Sequence, residues 1–389
     1  MTRRVASLVV GAATLGIAAC AAPAGPDLLP QPASSPQSQA TVTPPVTHRH
    51  VEVGVDVDVE VQATPYAECS LGTTEGPAPE KAPGLVTDAD GIARFTFRTD
   101  DPPTETAHLS LDCVGEDGSA ASYPVELAPD DGAHDTPRPI RASHGTPIPP
   151  LADLTLPDAD LIARGYPPRP AAPESSPEYQ GWLRTVSTPR TLVPAHRRAR
   201  SGGLRHGAPS RFGATSNNWA GVVASTPFSG QGQYWNVQGR WGVPSVNAAS
   251  LSSMPTYSAA AMWVGLDSND VWQAGTDSES SIFTRFTFNG AYRFQVQTES
   301  AWIEAFPANE YTLPNVTPRI GDQMQVQVWV GDSTGATTFN GNRLSGPDST
   351  MWFLVTDLTN GQTALDTYSI PYQGTLFTGD TAEFIVERP

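Results

Sequence analysis

From Gln323 to Val330 the chain places Met324, Val326, Val328 and Val330 at every second position, with glutamines and Trp329 between them. An apolar period of two lines one face of a pleated strand and cannot line one face of a helix. The same preference recurs nearby. Asn289-Gly290 separates Ile282–Phe288 from Ala291–Thr298, and Asn360-Gly361 separates Met351–Leu358 from Gln362–Ile370. Both residues of an Asn-Gly pair tolerate the positive φ of a type I′ turn, so each pair reads as a hairpin. No helical periodicity interrupts the run from Ser216 onward. Long strands with polar, glutamine-rich outer faces predict an all-β domain over 216–389, a sandwich of two large antiparallel sheets.

The residues before this domain divide by composition. Arg3 and Arg4 precede an apolar run, Val5–Ala19, which is too short to span a membrane as a mature helix. Residues 20–47, rich in Pro, Ala, Ser and Gln, hold too little apolar surface to offset their ordering entropy and are expected to form a tether. A small β module is expected over 48–128. Val51, Val53, Val55, Val57, Val59 and Val61 alternate with polar or small residues, which predicts one half-buried strand over Val51–Gln62. Asp88-Ala89-Asp90-Gly91 is turn chemistry ahead of a strand at Ala93–Phe97, and His108–Val114 and Ser122–Leu127 supply two more. Short strands around an internal cysteine pair fit an immunoglobulin-like sandwich, read here as a spacer or adhesive module. In an exported chain Cys69 and Cys113 are expected to form one disulfide. Neither has a Cys or His at ligand spacing, which argues against a metal site.

Residues 129–215 read as a proline-rich connector with one ordered island. Ser176 is placed to cap a helix with Pro177 at its first position, and Tyr179, Trp182, Leu183 and Val186 fall at i, i+3, i+4 and i+7. That aromatic stripe needs a docking surface, and the following domain is the candidate. Arg190, His196, Arg197, Arg198, Arg200, Arg205, His206 and Arg211 then form a basic run. Two readings stay open for it. One is a solvated linker. The other is a propeptide arm covering an acidic cleft, since residues 216–389 hold fifteen acidic and six arginine side chains.

A net charge of −17 and a pI near 4.7 argue against a nucleic-acid binder, which would need a basic face to meet phosphates. An acidic surface loses its self-repulsion as carboxylates protonate, which suits work in acid. The domain at 216–389 contains no His or Cys, so its chemistry falls to carboxylates, amides and hydroxyls. Three stretches concentrate these beside aromatics: Trp263 to Gln273 with Asp267, Ala301–Pro307 with Trp302 and Glu304, and Thr381–Glu387 with Glu383. On a strand Glu383, Ile385 and Glu387 share one face. A carboxylate half-buried beside aromatics has its pKa raised by desolvation, which suits acid–base work at low pH.

At these residues the sequence resembles the glutamic peptidases (eqolisins, peptidase family G1). The resemblance runs in order through Asn218-Trp219-Ala220-Gly221, Gly239-Arg240-Trp241-Gly242-Val243-Pro244 and Trp263-Val264-Gly265-Leu266-Asp267. It continues through Gln273-Ala274-Gly275 and Ala301-Trp302-Ile303-Glu304, and closes with Ala382-Glu383-Phe384-Ile385-Val386-Glu387. The connector, with Gly165-Tyr166-Pro167-Pro168-Arg169-Pro170, is similar to what precedes bacterial members. The resemblance implies a concanavalin-like or jelly-roll sandwich whose concave face holds a polypeptide substrate. It implies a catalytic pair of Glu383 and Gln273, with Asp267 and Glu304 as acids lining the cleft and Trp263 and Trp302 as its aromatic walls. No cofactor and no covalent intermediate are implied, and the chain is expected to act as a monomer. Phe384, Phe306 and Ser300 depart from the family's usual tryptophan, tyrosine and aspartate. The family's domain ordinarily continues beyond this glutamate, so the resemblance also implies further strands that would follow Pro389.

Ile17-Ala18-Ala19-Cys20 looks like a bacterial lipobox. It implies export, removal of residues 1–19, and a lipid on Cys20 that anchors the chain outside the cell membrane by acyl burial. Two other functions compete with the peptidase. Tryptophan-lined sandwiches also bind glycans or peptides without catalysis, and Asp267 with Glu304 is a candidate carboxylate pair for glycoside hydrolysis.

Overall fold

The computed structural model describes residues 47–51, 54–73, 83–99, 106–129, 144–170, 172–199, 219–225, 234–246, 257–267, 271–287, 290–306, 308–334, 349–370 and 377–388. The segment expected to be a signal peptide, Cys20, the expected tether up to residue 46 and the basic run beyond 199 lie outside the described residues. Among the described residues no helix is long and apolar enough to cross a membrane, and no cluster of three or more His, Cys, Asp or Glu could hold a metal ion.

The N-terminal module comprises β1 (Thr47–Val51), β2 (Val57–Gln62), β3 (Glu68–Thr73), β4 (Gly84–Val86), β5 (Ile92–Thr99), β6 (Ala107–Val114) and β7 (Ala120–Pro129). Five of these form one sheet in the order β1-β7-β6-β3-β4. The single strand expected over Val51–Gln62 is interrupted. Gly54 adopts φ +74°, a conformation glycine takes without strain, and donates its N–H to the Thr99 carbonyl. The strands on either side then part company: β1 runs parallel to β7, while β2 pairs antiparallel with β5. Cys69 and Cys113 form a disulfide between directly opposed positions of β3 and β6. The bridge therefore lies within one sheet, whereas antibody domains use theirs to join two.

The connector adds β8 (Thr146–Ile148), α1 (Asp158–Ala163), α2 (Pro177–Val186), β9 (Arg190–Leu192) and β10 (Arg198–Ala199). The α2 helix begins as its sequence predicts, with the Ser176 hydroxyl accepting from the Tyr179 N–H at 3.1 Å and Pro177 at the first position. The C-terminal domain supplies β11 (Trp219–Ser225), β12 (Asn236–Gly242), β13 (Tyr257–Leu266), β14 (Trp272–Thr287), β15 (Gly290–Ala305), β16 (Tyr311–Thr312), β17 (Gln323–Gly331), β18 (Thr350–Asp357), β19 (Gln362–Ser369) and β20 (Thr381–Glu387).

Two sheets make the expected all-β sandwich. One has the order β12-β17-β18-β19-β9-β8, and the other runs β10-β16-β15-β14-β13-β20-β11. Their inner faces meet in a core where Val264, Leu266, Trp272 and Ile303 pack with Val326, Val328 and Phe353. The alternation of β17 thus does what its sequence requires, but its glutamine face is not solvated. Gln325 and Gln327 are buried. Thr185 of α2 donates to Gln325 Oε1 at 2.6 Å, and Arg240 reaches the same oxygen at 2.6 Å. Ile162 of α1 packs with Trp329 and Leu354 over the same face. Gln327 donates its amide to Asn236 Oδ1 at 3.1 Å, so each glutamine has a partner for one of its two polar atoms, while Gln325 Nε2 and Gln327 Oε1 have none.

The connector is therefore part of the sandwich over its described length. β9 pairs in parallel with β19, β8 extends that edge, and β10 pairs with β16. Of the basic run, Arg197 forks onto the Asp366 carboxylate at 2.6 and 2.8 Å and lies 3.9 Å over the Tyr368 ring. These residues are docked and do not form a solvated linker. The N-terminal module is joined just as closely. β5 pairs antiparallel with Phe294–Gln297 of β15. Phe283, Phe294 and Val296 enter the module's own core beside Phe97, Val59 and Leu111. Among the described residues the module contributes β2 and β5 to its second layer, and the long β14–β15 hairpin extends that layer.

Candidate active site

Strand register brings the two proposed catalytic residues together. In β13, Gly265 is paired with Glu383 of β20 on one side and with Gln273 of β14 on the other. Gln273 is in turn paired with Glu304 of β15. Directly opposed residues project to the same face of an antiparallel sheet. Glu383, Gln273 and Glu304 therefore stand in one row on the face turned away from the sandwich core. Two strand spacings put the Glu383 and Gln273 backbones about 10 Å apart.

Gly265 makes that row usable. A Cβ at this position would lie 3.0 Å from Glu383 Oε2 and 2.8 Å from Val271 Cγ1. The carboxyl of Glu383 thus leans over the glycine, into space that any other residue would fill. The neighbouring row repeats the device: Ile385, Trp263, Gly275 and Trp302 are paired in sequence across the sheet. A Cβ on Gly275 would collide with the Met262 carbonyl oxygen and meet Trp263 Cβ at 2.7 Å and Trp302 Cζ2 at 2.9 Å, so β13 and the Trp302 indole close over this position.

Glu383 is buried, and neither carboxyl oxygen has a hydrogen-bond partner. Desolvation pushes its pKa up to about 7; the nearby Thr381 hydroxyl opposes the rise, and the Asp267 charge adds to it. Gln273, also buried, donates one N–H of its amide to Glu304 Oε2, while its Oε1 remains unpartnered. Three unsatisfied polar atoms therefore sit on either side of Gly265. Buried polar groups without partners are costly, and they concentrate where chemistry needs them.

The other expected site residues are placed as follows. Trp263 and Trp302 flank the row, fully buried, in a cluster with Val271 and Ile385. Their indole N–H groups donate to Glu387 Oε2 at 3.1 Å and to Asp277 Oδ1 at 2.9 Å. Asp267 takes φ +73° at the end of β13. Its carboxylate accepts from the Thr378 N–H and hydroxyl and, at 3.3 Å, from the Asp380 N–H. It thereby clamps the loop that leads into β20, and burial raises its pKa against those hydrogen bonds. Asp267 and Glu304 do not form the open carboxylate pair that glycoside hydrolysis needs, because the first holds a loop and the second holds Gln273.

Sequence reasoning missed Gly265, Gly275 and Asp277, and it placed Glu387 on the Glu383 face without giving it a role. The acids were readable in part: each lies four residues beyond Gln273 or Glu383, hence on the same face. The glycines were not, since their importance depends on which strands flank them.

Residues 217–389 match the model of the Peptidase A4 family. No curated protein matches the sequence. Among solved structures, scytalido-glutamic peptidase with a transition state analog inhibitor is similar at 23% identity and a TM-score of 0.30, covering 44% of this chain and 64% of that one. SCP-B, a member of the eqolisin family of peptidases in a complex with the tripeptide Ala-Ile-His, is similar at 21% identity and a TM-score of 0.28, covering 44% and 63%. The chain thus spans less than two thirds of the length of these relatives.

Proposed function

We propose that this chain is an endopeptidase that works in acid, with Glu383 and Gln273 as its catalytic pair. The observation that carries the reading is the row in which an unpaired, buried carboxyl faces a partly satisfied carboxamide across a glycine. In the proposed reaction Glu383, as carboxylate, takes a proton from a water whose oxygen attacks the scissile carbonyl carbon. The second N–H of Gln273 stabilises the oxyanion that develops, while Glu304 holds the amide in place. Glu383 then returns the proton to the departing amine as the C–N bond breaks. No atom of the enzyme bonds to the substrate.

The row is shielded from solvent in this structure, and in that state Glu383 keeps its proton below about pH 7. Uncovering the face would restore hydration, lower the pKa and supply the carboxylate. A polypeptide is the proposed substrate, and Trp263 and Trp302 are proposed to back the cleft in which it lies. Attachment outside the cell membrane through lipid on Cys20 belongs to the same reading and rests on the lipobox alone. Glu383→Gln and Gln273→Ala are each expected to abolish cleavage of an acid-unfolded protein. Cleavage retained by either variant would sink the assignment.

A further inference from the structure

Among the described residues, Asp267 and Tyr66 are the two non-glycine positions with positive φ. Asp267 holds the loop into β20. Tyr66, at φ +55°, lies in the turn between β2 and β3. A bulky side chain in this conformation is strained, and it persists only where surrounding contacts outweigh the strain. The Tyr66 ring stacks on the His196 imidazole of the connector, with centroids 3.8 Å apart and planes 18° from parallel. Its hydroxyl accepts from Asn315 Nδ2 at 3.3 Å.

Two further turns of the module reach the same place. In the turn between β4 and β5, the Ala89 N–H donates to Asn315 Oδ1 at 2.9 Å. Asn315 Nδ2 also donates to the Pro194 carbonyl at 2.8 Å, so one buried carboxamide of the C-terminal domain ties the module to the connector. In the turn between β6 and β7, Glu116 lies 2.9 Å from His196 Nε2 and 3.9 Å from Arg198 Nη1. Glu116 is 47% exposed, so these pairs add little. The stack and the Asn315 hydrogen bonds are the main hold.

What they hold is short. β10 pairs with β16 at Arg198 and Ala199, and a ladder of two residues is not stable by itself. Arg197 turns to Asp366 and Tyr368 of β19, while His196 and Arg198 on either side of it turn to the module. The segment is thus gripped from both sides, one residue after another. β10 in turn forms one edge of the sheet that carries Glu383 and Gln273.

We propose that this end of the module is a clamp for the chain's own connector. It captures residues 194–199 by the His196 ring, keeps β10 on the edge of the sheet, and so sets how readily the connector is cut there. The module then has a regulatory task in place of a spacer or adhesive one, whether or not the chain is a peptidase. Tyr66→Gly in the full chain tests the clamp. Glycine accepts the positive φ, so the turn keeps its shape while the ring and hydroxyl are lost. Limited trypsin digestion with mass spectrometry reads cleavage after Arg197 and Arg198, which requires the segment to open locally. Tyr66→Gly should speed cleavage at these bonds roughly five- to tenfold, the factor expected for losing an aromatic stack and a hydrogen bond. Tyr66→Phe keeps the ring and loses a long hydrogen bond of 3.3 Å, so its cleavage should stay close to the parental rate. Hydrogen exchange in β17 should be unchanged in both variants. Parental cleavage rates in Tyr66→Gly, or equal acceleration in the two variants, would overturn the clamp. Faster cleavage accompanied by faster exchange in β17 would overturn it too, because the whole fold would then have loosened.

Discussion

Replacing Glu383 by Gln should make the protein more stable above neutral pH while removing its activity. The carboxyl is buried, its oxygens have no partner, and its pKa is raised from 4.5 to about 7, chiefly by desolvation. At 1.36 kcal/mol per pH unit, that rise corresponds to about 3 kcal/mol. Below pH 4.5 the group is protonated in both folded and unfolded chains and contributes nothing. Between 4.5 and about 7 the unfolded chain releases its proton while the folded chain keeps it, so stability falls as pH rises. Above about 7 the folded chain carries an unpaired buried carboxylate and bears the whole cost. Glutamine has nearly the same shape and no charge. Glu383→Gln should therefore unfold with the parent at pH 4 and outlast it at pH 8 by about 3 kcal/mol, roughly 5–10 °C in Tm. Circular dichroism melts of both proteins at the two pH values measure this directly. Coincident melts at pH 8, or a variant less stable at both values, would show that the carboxyl is not strained in the folded state. The pairing of lost activity with gained stability is what a residue held for chemistry at the expense of the fold produces.

Gly265→Ala should push its methyl group to 3.0 Å from Glu383 Oε2 and 2.8 Å from Val271 Cγ1. The expected cost is about 1–3 kcal/mol, with a drop in kcat larger than any change in KM; unaltered kcat would separate the glycine from the site. Asp267→Gly keeps a residue suited to the positive φ but removes the acceptor of the Thr378 and Asp380 hydrogen bonds. Hydrogen exchange at 378–383 should accelerate, and unchanged exchange would show that the clamp is idle. Cys69→Ser with Cys113→Ser opens a loop of 44 residues, for which loop entropy predicts a loss of about 4 kcal/mol. Because the module's core includes Phe294 and Val296, amide protection at 294–297 should fall with it. Protection retained there would mean that the hairpin does not depend on the module.

Much of this was readable in local pattern. The alternation of Met324, Val326, Val328 and Val330 specified β17 and its inward face, and Ser176-Pro177 with the Tyr179/Trp182 stripe specified α2. Gly54 shows where pattern misleads: the valines alternate across it, yet its φ of +74° ends the strand. Gln325 and Gln327 mislead differently. They carry the signature of a solvated face, but α2 and Arg240 reach Gln325 and Asn236 meets Gln327, and a side chain's polarity does not reveal whether a partner will arrive. Asn289-Gly290 announced a hairpin between β14 and β15, but Gly290 is already paired with Thr287 and so is not at the tip, and the hairpin's length was not legible. β14 and β15 run through sixteen residues each because the N-terminal module supports their far end.

By itself the sequence determined that the C-terminal domain is all strand, that its chemistry falls to carboxylates and amides, and that Glu383 and Gln273 deserve scrutiny. These follow from spacing and composition, which act between near neighbours. Only the tertiary structure decided that Glu383 and Gln273 flank the same glycine, that Glu304 orients the amide, and that Asp267 holds a loop. Each depends on the register of strands distant in the chain, and a slip of one residue would turn every one of these side chains to the other face.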